Sequence, residues 1–334
     1  MRRNHLTVRR MIPVLMIVAT AGATLASTAG ADRGATAQVH AKPAQNGRIV
    51  FQANVGQFTQ LFTIEPDGTG IKRITHVPTG GDNFGAENPA WSPDGSTVAF
   101  DAAVPNGVNL FTVGATGGGV SQLPLAVGDF NGDPAYSPKG KRLSFDQDVG
   151  PSQPRVHGIF IANANGHHAH RVTTGIPTTE AFDTESQWAP DGTELAFTRV
   201  KNGRKAAIFT VDVDGSHLKQ LTRYKLDAAS PDWSPNGSMI AFNSYWDSPG
   251  GKAANIFTIP ADGGHRTALT HNRLHGHAFS FRPSWSPNGK RIVFTHANRR
   301  GVNLYKMGPN GSKRVRVTHM PNRFPTNPDW GTAP

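Results

Sequence analysis

One short phrase recurs along this chain: an aromatic residue, then Ser-Pro-Asp-Gly or a close variant of it, then an apolar strand. Five complete copies are NPAWSPDGSTVAF (residues 88–100), DPAYSPKGKRLSF (133–145), ESQWAPDGTELAF (185–197), SPDWSPNGSMIAF (230–242) and RPSWSPNGKRIVF (282–294). A sixth copy is divided between the chain ends, with NPDWG at residues 327–331 and GRIVF at residues 47–51. A repeat of about 40 to 50 residues with regular turn signals predicts an array of small sheets rather than one ordinary core.

The aromatic residues of the phrase act as anchors with regular spacing. Successive anchors are 45 or 52 residues apart, and in each complete copy a Phe follows its anchor by nine residues. A constant inner spacing with a variable outer spacing is typical of strands joined by loops of different length. A large aromatic residue at this position suits a wedge between neighbouring sheets. The six anchors are Trp91, Tyr136, Trp188, Trp233, Trp285 and Trp330.

A second pattern follows each repeated Phe and completes a four-stranded unit. It comprises LFTIEPDG (61–68), LFTVGATG (110–117), IFIANANG (159–166), IFTVDVDG (208–215), IFTIPADG (256–263) and LYKMGPNG (304–311). Strands that end in Asp-Gly or Asn-Gly predict tight hairpins. A short fourth strand that usually ends in Leu-Thr or Val-Thr follows. Each unit is therefore predicted to contain four antiparallel strands.

The divided sixth copy predicts how the array ends. The segment near the C-terminus supplies a first strand with nothing after it, and the segment at residues 47–51 supplies a second strand with nothing before it. Closing the sheets into a ring covers their edges. The sequence thus predicts an all-β fold, a six-bladed β-propeller at residues 47–331, closed by the C-terminal strand completing the first blade.

The N-terminal residues predict export. Basic residues precede an apolar stretch, and Ala29-Gly30-Ala31 provides an A-x-A cleavage signal, so residues 1–31 are predicted to be a signal peptide. An uncleaved anchor is the alternative, but the apolar stretch is shorter than the roughly 20 residues of a spanning helix. Residues 32–46 are predicted to be a flexible lead-in. The expected location is extracytoplasmic, either secreted or periplasmic.

Composition excludes several classes of function. The chain has no cysteine, which excludes disulfides and thiol catalysis. Its formal charge of +11 is spread over turns, with one denser patch at residues 313–316. Nucleic-acid binding favours a concentrated basic stripe with interleaved aromatic residues. We therefore expect no nucleic-acid partner.

The PAWSPDG and IFTVDVDG phrases resemble the repeat of TolB-type β-propellers. The resemblance covers nearly all of residues 47–331 and implies the propeller fold. We expect a stand-alone propeller without the N-terminal α/β domain of TolB. The resemblance is less specific for function, because propellers carry different sites on one scaffold.

Loops that lead into the first strand of each unit contain the candidate site. These loops meet at one mouth of the central channel, where they predict a polar pocket that is acidic on one side and basic on the other. The alternative is that their polar residues cap strands and solvate the mouth. Phe84, Phe130, Phe182 and Phe279 also occur there and would suit a binding rim. The predicted ligand-binding residues are Asp82, Glu87, Asp129, Asp133, Glu180, Asp183, Glu185, Asp227, His275, His277, Arg282 and Arg323.

Metal chemistry is weakly indicated. His271, His275 and His277 form one group, and His167, His168 and His170 form another, but neither has a recognised ligand spacing. We expect surface histidines, no metal and no cofactor.

The predicted function is a protein-, peptide- or envelope-ligand-binding scaffold that acts as a monomer through its channel-mouth loops. Catalysis is not favoured, because no nucleophile and base can be paired from spacing. One alternative is a metal-assisted lyase or hydrolase acting on an acidic glycan, with His275, His277 and Arg282 as its candidates. A second alternative is a structural propeller with a separate partner chain.

Overall fold

The computed structural model describes residues 45–76, 85–105, 107–125, 130–149, 156–174, 181–201, 205–245, 253–273 and 277–333. Within these ranges the chain consists of strands and loops, with one 3-10 turn at Tyr224–Leu226. No helix in the described ranges is long and apolar enough to span a bilayer. The predicted signal peptide and all but the end of the predicted lead-in lie outside the described residues.

The two ends of the described chain share one sheet. Its strands, in spatial order, are β24 (Thr326–Thr332), β1 (Asn46–Val55), β2 (Phe58–Ile64) and β3 (Lys72–Arg73). The pairs Ile49–Trp330 and Val50–Asp329 join β1 to β24 in antiparallel register. The indole nitrogen of Trp330 also donates a hydrogen bond to the Gly47 carbonyl at 3.2 Å. The last strand therefore completes the first sheet, as the divided repeat predicts.

The next two units form a single eight-stranded sheet. Its strands are β4 (Glu87–Trp91), β5 (Thr97–Val104), β6 (Gly107–Gly114), β7 (Ser121–Gln122), β8 (Phe130–Tyr136), β9 (Arg142–Val149), β10 (Val156–Asn163) and β11 (His170–Arg171). Pairing is antiparallel within each set of four, and one parallel bridge between Val108 and Phe130 joins the sets. Six separate sheets were expected, and five form because β8 begins close enough to β6 to make this bridge.

The remaining strands form three further sheets of four. They are β12 (Ala181–Trp188), β13 (Glu194–Lys201), β14 (Lys205–Asp212) and β15 (Lys219–Gln220); β16 (Ala228–Trp233), β17 (Met239–Ser244), β18 (Asn255–Pro260) and β19 (Thr267–Ala268); and β20 (Phe279–Trp285), β21 (Ile292–Asn298), β22 (Gly301–Met307) and β23 (Val315–Arg316). In each sheet every strand pairs with its neighbour in sequence, and all pairs are antiparallel.

The aromatic anchors pack between neighbouring units. Trp91 packs in one cluster with Val50 and Leu61 of the preceding unit and with Val98 and Phe100 of its own unit. The other five anchors lie in equivalent clusters, so each cluster contains residues of two units. Burial of apolar surface between neighbouring units therefore stabilises the array.

The Thr that follows five of the six short fourth strands has a structural role. Thr75 accepts a hydrogen bond from the Leu61 amide through its hydroxyl at 2.9 Å, and Thr173, Thr222, Thr270 and Thr318 repeat this contact. These threonines are buried. The side chain thus satisfies a backbone donor that the two-residue fourth strand leaves unpaired.

The first strand of each unit packs on the unit before it, and β4 packs on β24, β1 and β2 in the same way. The array therefore closes on itself around an axis lined by the first strands. This is a β-propeller with four-stranded antiparallel blades.

Candidate functional site

Six residues at one repeated position surround the channel. Each lies three residues before an aromatic anchor, at the register break between the first two strands of its unit. All six have left-handed backbone conformations, with φ between 47° and 56°. Such bulges redirect a side chain out of the sheet, and all six residues line one central cavity. We call this set the polar ring; it comprises Asn88, Asp133, Glu185, Ser230, Arg282 and Asn327.

Arg282 joins the two acidic members of the polar ring. Its Nη1 lies 3.3 Å from Asp133 Oδ1, and its Nη2 lies 2.7 Å from Glu185 Oε1. Burial opposes the charged guanidinium, but the carboxylates of Glu185 and Asp133 outweigh it and raise the pKa of Arg282 above its ordinary value. The arginine therefore stays charged, and one cation bridges two carboxylates across the channel.

Neighbouring groups hold these carboxylates in place. The Thr184 hydroxyl donates to Asp133 Oδ2 at 3.1 Å. Glu185 Oε2 accepts hydrogen bonds from the Thr198 hydroxyl at 2.9 Å and the Ser230 amide at 2.8 Å. A carboxylate with several fixed donors is pre-oriented for recognition.

The opposite side of the polar ring is neutral. Asn327 Nδ2 donates to Asn88 Oδ1 at 2.6 Å and to Gln52 Oε1 at 3.1 Å. Gln52 Oε1 also accepts the Asn88 amide at 2.8 Å. At the level of the polar ring the channel is therefore charged on one side and amide-lined on the other. The acidic and basic halves predicted for the mouth loops stay a prediction, because several of their residues lie outside the described ranges.

Three further carboxyl groups near the channel have raised pKa values. Burial raises the pKa of Asp101 well above its usual range, and the charges of Asp133 and Glu87 add to this effect. Burial, with a contribution from the charge of Asp329, raises the pKa of Asp232 to about 8. Burial likewise raises the pKa of Asp329. Burial, with a smaller contribution from neighbouring carboxylates at Asp101 and Asp232, thus makes full ionisation of these groups unfavourable.

The cavity inside the polar ring is small. The volume open to the centres of water-sized molecules is about 60 Å³. One water needs about 10–15 Å³ by this measure, so the cavity holds a few waters or one small polar group.

Aromatic side chains occur three residues upstream of four members of the polar ring, where the first strands begin. Phe130, Phe182 and Phe279 are half-buried, and Phe324 is 51% exposed. With a rise of about 3.3 Å per residue, these rings lie about 10 Å along the strands from the polar ring. Phe130, Phe182, Phe279 and Phe324 are called the aromatic rim below. Phe84, also predicted to lie there, falls outside the described residues.

A buried histidine joins two members of the aromatic rim. The His157 ring centroid lies 6.4 Å from that of Phe130 and 5.5 Å from that of Phe182. His157 Nε2 lies 3.1 Å from Asp148 Oδ1, and both side chains are less than one-tenth exposed. The contact with Asp148 holds the His157 ring between Phe130 of its own unit and Phe182 of the next unit.

The other described candidates do not converge on the polar ring. Asp183 forms a buried two-point ion pair with Arg199, at 2.6 and 2.8 Å. Asp227 Oδ1 accepts the Ala206 amide at 3.1 Å, as expected for a residue that braces a loop.

The remaining described candidates are Glu87, His277 and Arg323. Glu87 Oε1 accepts a hydrogen bond from the Thr59 hydroxyl at 3.2 Å. His277 and Arg323 are exposed, and the Arg323 guanidinium carbon lies 6.0 Å from the Phe62 ring centroid. Asp82, Asp129, Glu180 and His275 lie outside the described residues.

No group of three potential His, Asp or Glu metal ligands occurs in the described part of the chain. His271 and His277 are both exposed. Because His275 is not among the described residues, the expectation about metal binding stays a prediction.

Sequence reasoning missed half of the polar ring. It selected Asp133, Glu185 and Arg282 because they are charged, and it passed over Asn88, Ser230 and Asn327. The signal was present in the spacing, because every member lies three residues before its anchor and five of the six precede a proline. Arg199 was also missed, since its pairing with Asp183 depends on cross-strand register.

Comparison with known proteins agrees with this architecture. Among curated proteins, the uncharacterized peptidase YuxL of Bacillus subtilis (strain 168) is 28% identical over 112 residues, 32% of this chain and 16% of that protein. The Tol-Pal system protein TolB of Nitrosomonas europaea is 42% identical over 53 residues, 16% of this chain and 12% of that protein. The chain thus spans less than a fifth of the length of these relatives.

Among solved structures, TolB from Acinetobacter baumannii superimposes with a TM-score of 0.67 and 22% identity. The superposition covers 85% of this chain and 66% of that chain. This likeness shows the shared fold. The sequence model of the TolB beta propeller domain matches residues 80–273, more than half of the chain. With four-stranded antiparallel blades in a closed array, the chain belongs to the TolB beta propeller domain family.

Proposed function

We propose that this protein is an extracytoplasmic binding scaffold that holds a protein or peptide segment at the channel mouth. The observation that carries the proposal is the aromatic rim. Its side chains lie three residues upstream of four members of the polar ring, where the same strands begin. Partly exposed aromatic residues around polar groups are typical of protein interfaces. The small volume at the polar ring favours a ligand that rests on the rim and inserts one polar group.

We infer that the propeller has six blades. The eight-stranded sheet comprises two sets of four strands joined by a single bridge at Val108 and Phe130. Six aromatic anchors and six members of the polar ring support the same count. In a ring of six blades, the unit of Asp133 and the unit of Arg282 lie three places apart and therefore face each other across the channel. This arrangement agrees with the ion pair between the two residues.

An extracytoplasmic location is supported by the signal-peptide pattern in the sequence and by membership of the TolB propeller family. We propose a monomer whose partner is a protein, a peptide or a cell-envelope ligand. The names of the relatives describe those proteins, and the peptidase in the name of YuxL is not carried over to this chain.

Site-specific photo-crosslinking tests the proposed mouth. A photoreactive phenylalanine analogue replaces Phe182 in the purified chain, which is irradiated in an envelope extract. The matched control carries the analogue at Leu218, which is 45% exposed just before β15, at the outer edge of its blade. We expect one dominant adduct at position 182 and none at position 218.

Competition makes this test specific. An excess of unlabelled chain should suppress the adduct, whereas the Phe130→Ser/Phe182→Ser double variant should not. Equal adduct patterns at both positions, or equal suppression by both competitors, would contradict binding at the mouth.

A further inference from the structure

The cavity inside the polar ring is short of positive charge. Among the described residues that line it, Arg282 is the one base, whereas Asp133, Glu185, Asp232 and Asp329 are acidic. Arg282 bonds both Asp133 and Glu185, so these two carboxylates share a single positive charge. One further monovalent cation would balance this pair.

The carboxylate of Asp133 has acceptor positions to spare. It accepts hydrogen bonds from the Thr184 hydroxyl and from Arg282, and a carboxylate has about four acceptor positions. The Asp133 side chain is 14% exposed and that of Glu185 is 11% exposed, and both residues line the cavity. A donor inside the cavity can therefore reach them.

The other two carboxyl groups show the same shortage of cations. Asp232 Oδ2 accepts the Trp285 amide at 2.5 Å, and Asp329 Oδ2 accepts the Trp91 amide at 2.7 Å. Neither carboxyl group forms an ion pair with a described basic residue. Burial raises the pKa of both groups, so they tend to hold protons where a cation could otherwise stabilise their charge.

The wall of the cavity is poor in backbone donors. Five of the six members of the polar ring precede a proline, and all five prolines line the cavity; they are Pro89, Pro134, Pro231, Pro283 and Pro328. Proline has no N–H group. Backbone N–H groups near left-handed residues commonly bind anions, and the prolines remove such donors here. The cavity thus favours a cation over an anion.

We propose that the polar group held at the polar ring is a primary ammonium group, from a lysine side chain or a free N-terminus of the partner segment. This inference rests on the function proposed above. An ammonium group is a compact charge with three N–H donors. Oxygen atoms of Asn88, Asp133 and Glu185 come from three successive units and can accept them. The alkyl stem of a lysine would then pass the aromatic rim, where apolar contact is available.

Titration of the purified chain with short peptides tests the proposal. N-acetyl-Ala-Lys-Ala amide carries a side-chain ammonium, and its norleucine analogue keeps the alkyl stem without the charge. The norleucine peptide with a free N-terminus tests the second source of an ammonium group. Ligand-observed NMR measures each Kd. We expect at least one ammonium peptide to bind about fivefold or more tightly than the capped norleucine peptide, and the capped Ala-Glu-Ala amide to bind more weakly than either ammonium peptide.

Two variants of the polar ring should change this affinity in opposite directions. Arg282→Gln removes the cation that competes for Asp133 and Glu185, so it should strengthen binding of the ammonium peptide by about threefold or more. Glu185→Gln removes one carboxylate and should weaken binding by about threefold or more. The matched control is Asp262→Asn, at an exposed position, which should leave the affinity unchanged. Unfolding cannot produce a gain in affinity, and thermal denaturation shows that each variant is folded.

Specific results would overturn the ammonium site. These are equal affinities for the ammonium and capped norleucine peptides, weaker binding of the ammonium peptide to Arg282→Gln than to the wild type, or tighter binding of the glutamate peptide.

Photo-crosslinking at position 182 separates this inference from the proposed function. A dominant adduct there, without any preference for ammonium peptides, would overturn the ammonium site and leave binding at the mouth in place. A clear preference for ammonium peptides, without an adduct, would support the site and contradict a protein partner at the mouth.

Discussion

Arg282 Nη1 lies 3.3 Å from Asp133 Oδ1, although the two residues are 149 positions apart in the chain. The contact joins β20 to β8 across the channel, and Nη2 of the same arginine bonds Glu185 on β12 at 2.7 Å. One side chain therefore couples three units of the propeller at its axis. Loss of this side chain would leave Asp133 and Glu185 without their shared cation.

Arg282→Gln should destabilise the protein by about 1–3 kcal/mol at pH 7, because two partly buried carboxylates lose their shared cation. The free energy of unfolding in urea provides the measurement. Arg300→Gln, at an exposed turn, is the control and should change it by about 0.5 kcal/mol or less. Equal stability of the two variants would show that the bridge contributes nothing.

Asp232→Asn should make the free energy of unfolding less sensitive to alkaline pH. The pKa of Asp232 is about 8 in the folded state, because of burial and then the charge of Asp329. The folded protein therefore holds a proton that the unfolded chain releases near pH 4. The free energy of unfolding of the wild type should consequently fall as pH rises from about 4 to about 8.

At pH 9 the Asp232→Asn variant should be more stable than the wild type by about 1–3 kcal/mol, and the difference should vanish near pH 4. The amide oxygen can still accept the Trp285 amide hydrogen, which Asp232 Oδ2 accepts at 2.5 Å. Urea denaturation at pH 4, 7 and 9 measures this, with the exposed Asp262→Asn as control. Parallel pH profiles of wild type and variant would refute the role of Asp232.

Trp233→Ala should cost about 3–5 kcal/mol of unfolding free energy, since it leaves a cavity between two units. Trp233 is 7% exposed and packs in one cluster with Ala196 and Ile208 of one unit and Ile240 and Phe242 of the next. Leu218→Ala, at a position 45% exposed, should cost far less. Similar losses for the two variants would argue against a wedge role for the anchor.

Deletion of residues 324–334 should abolish cooperative unfolding. It removes β24, leaves the edge of β1 unpaired, and takes Trp330 from the cluster that contains Ile49, Phe51 and Leu304. Exposed strand edges and apolar surface promote aggregation. Near-ultraviolet circular dichroism and size-exclusion chromatography measure this effect.

Deletion of residues 333–334 alone is the matched control, because it leaves β24 and its pairing with β1 in place. A monomeric and cooperatively unfolding protein without residues 324–334 would disprove closure by the terminal strand.

The repeat determined much of the fold. Trp330 and the apolar strand at residues 47–51 belong to one divided copy, and the structure pairs them in one sheet. The turn prediction also holds, since Gly95 has φ of 70° and its amide bonds the Ser92 carbonyl at 2.9 Å. Such features are local, because turn chemistry and alternation act between residues close in sequence.

The site was only partly predictable. Asp133, Glu185 and Arg282 stood out by charge, whereas Asn88, Ser230 and Asn327 share their position but not their chemistry. A bulge places all six at the axis, and its left-handed backbone is visible only in the structure. Phe130, Phe182 and Phe279 were expected at the mouth, but Phe324 was missed and the fixed offset of the aromatic rim from the polar ring was not recognised.

The sequence by itself determined the four-stranded unit, its turns and the closing strand. Each of these depends on nearby residues or on a repeated phrase. Only the tertiary structure decided that Arg282 bridges Asp133 and Glu185 and that Asp183 pairs with Arg199. These contacts join residues from different strands or units, and their partners are chosen by strand register and by packing between blades, which no local pattern encodes.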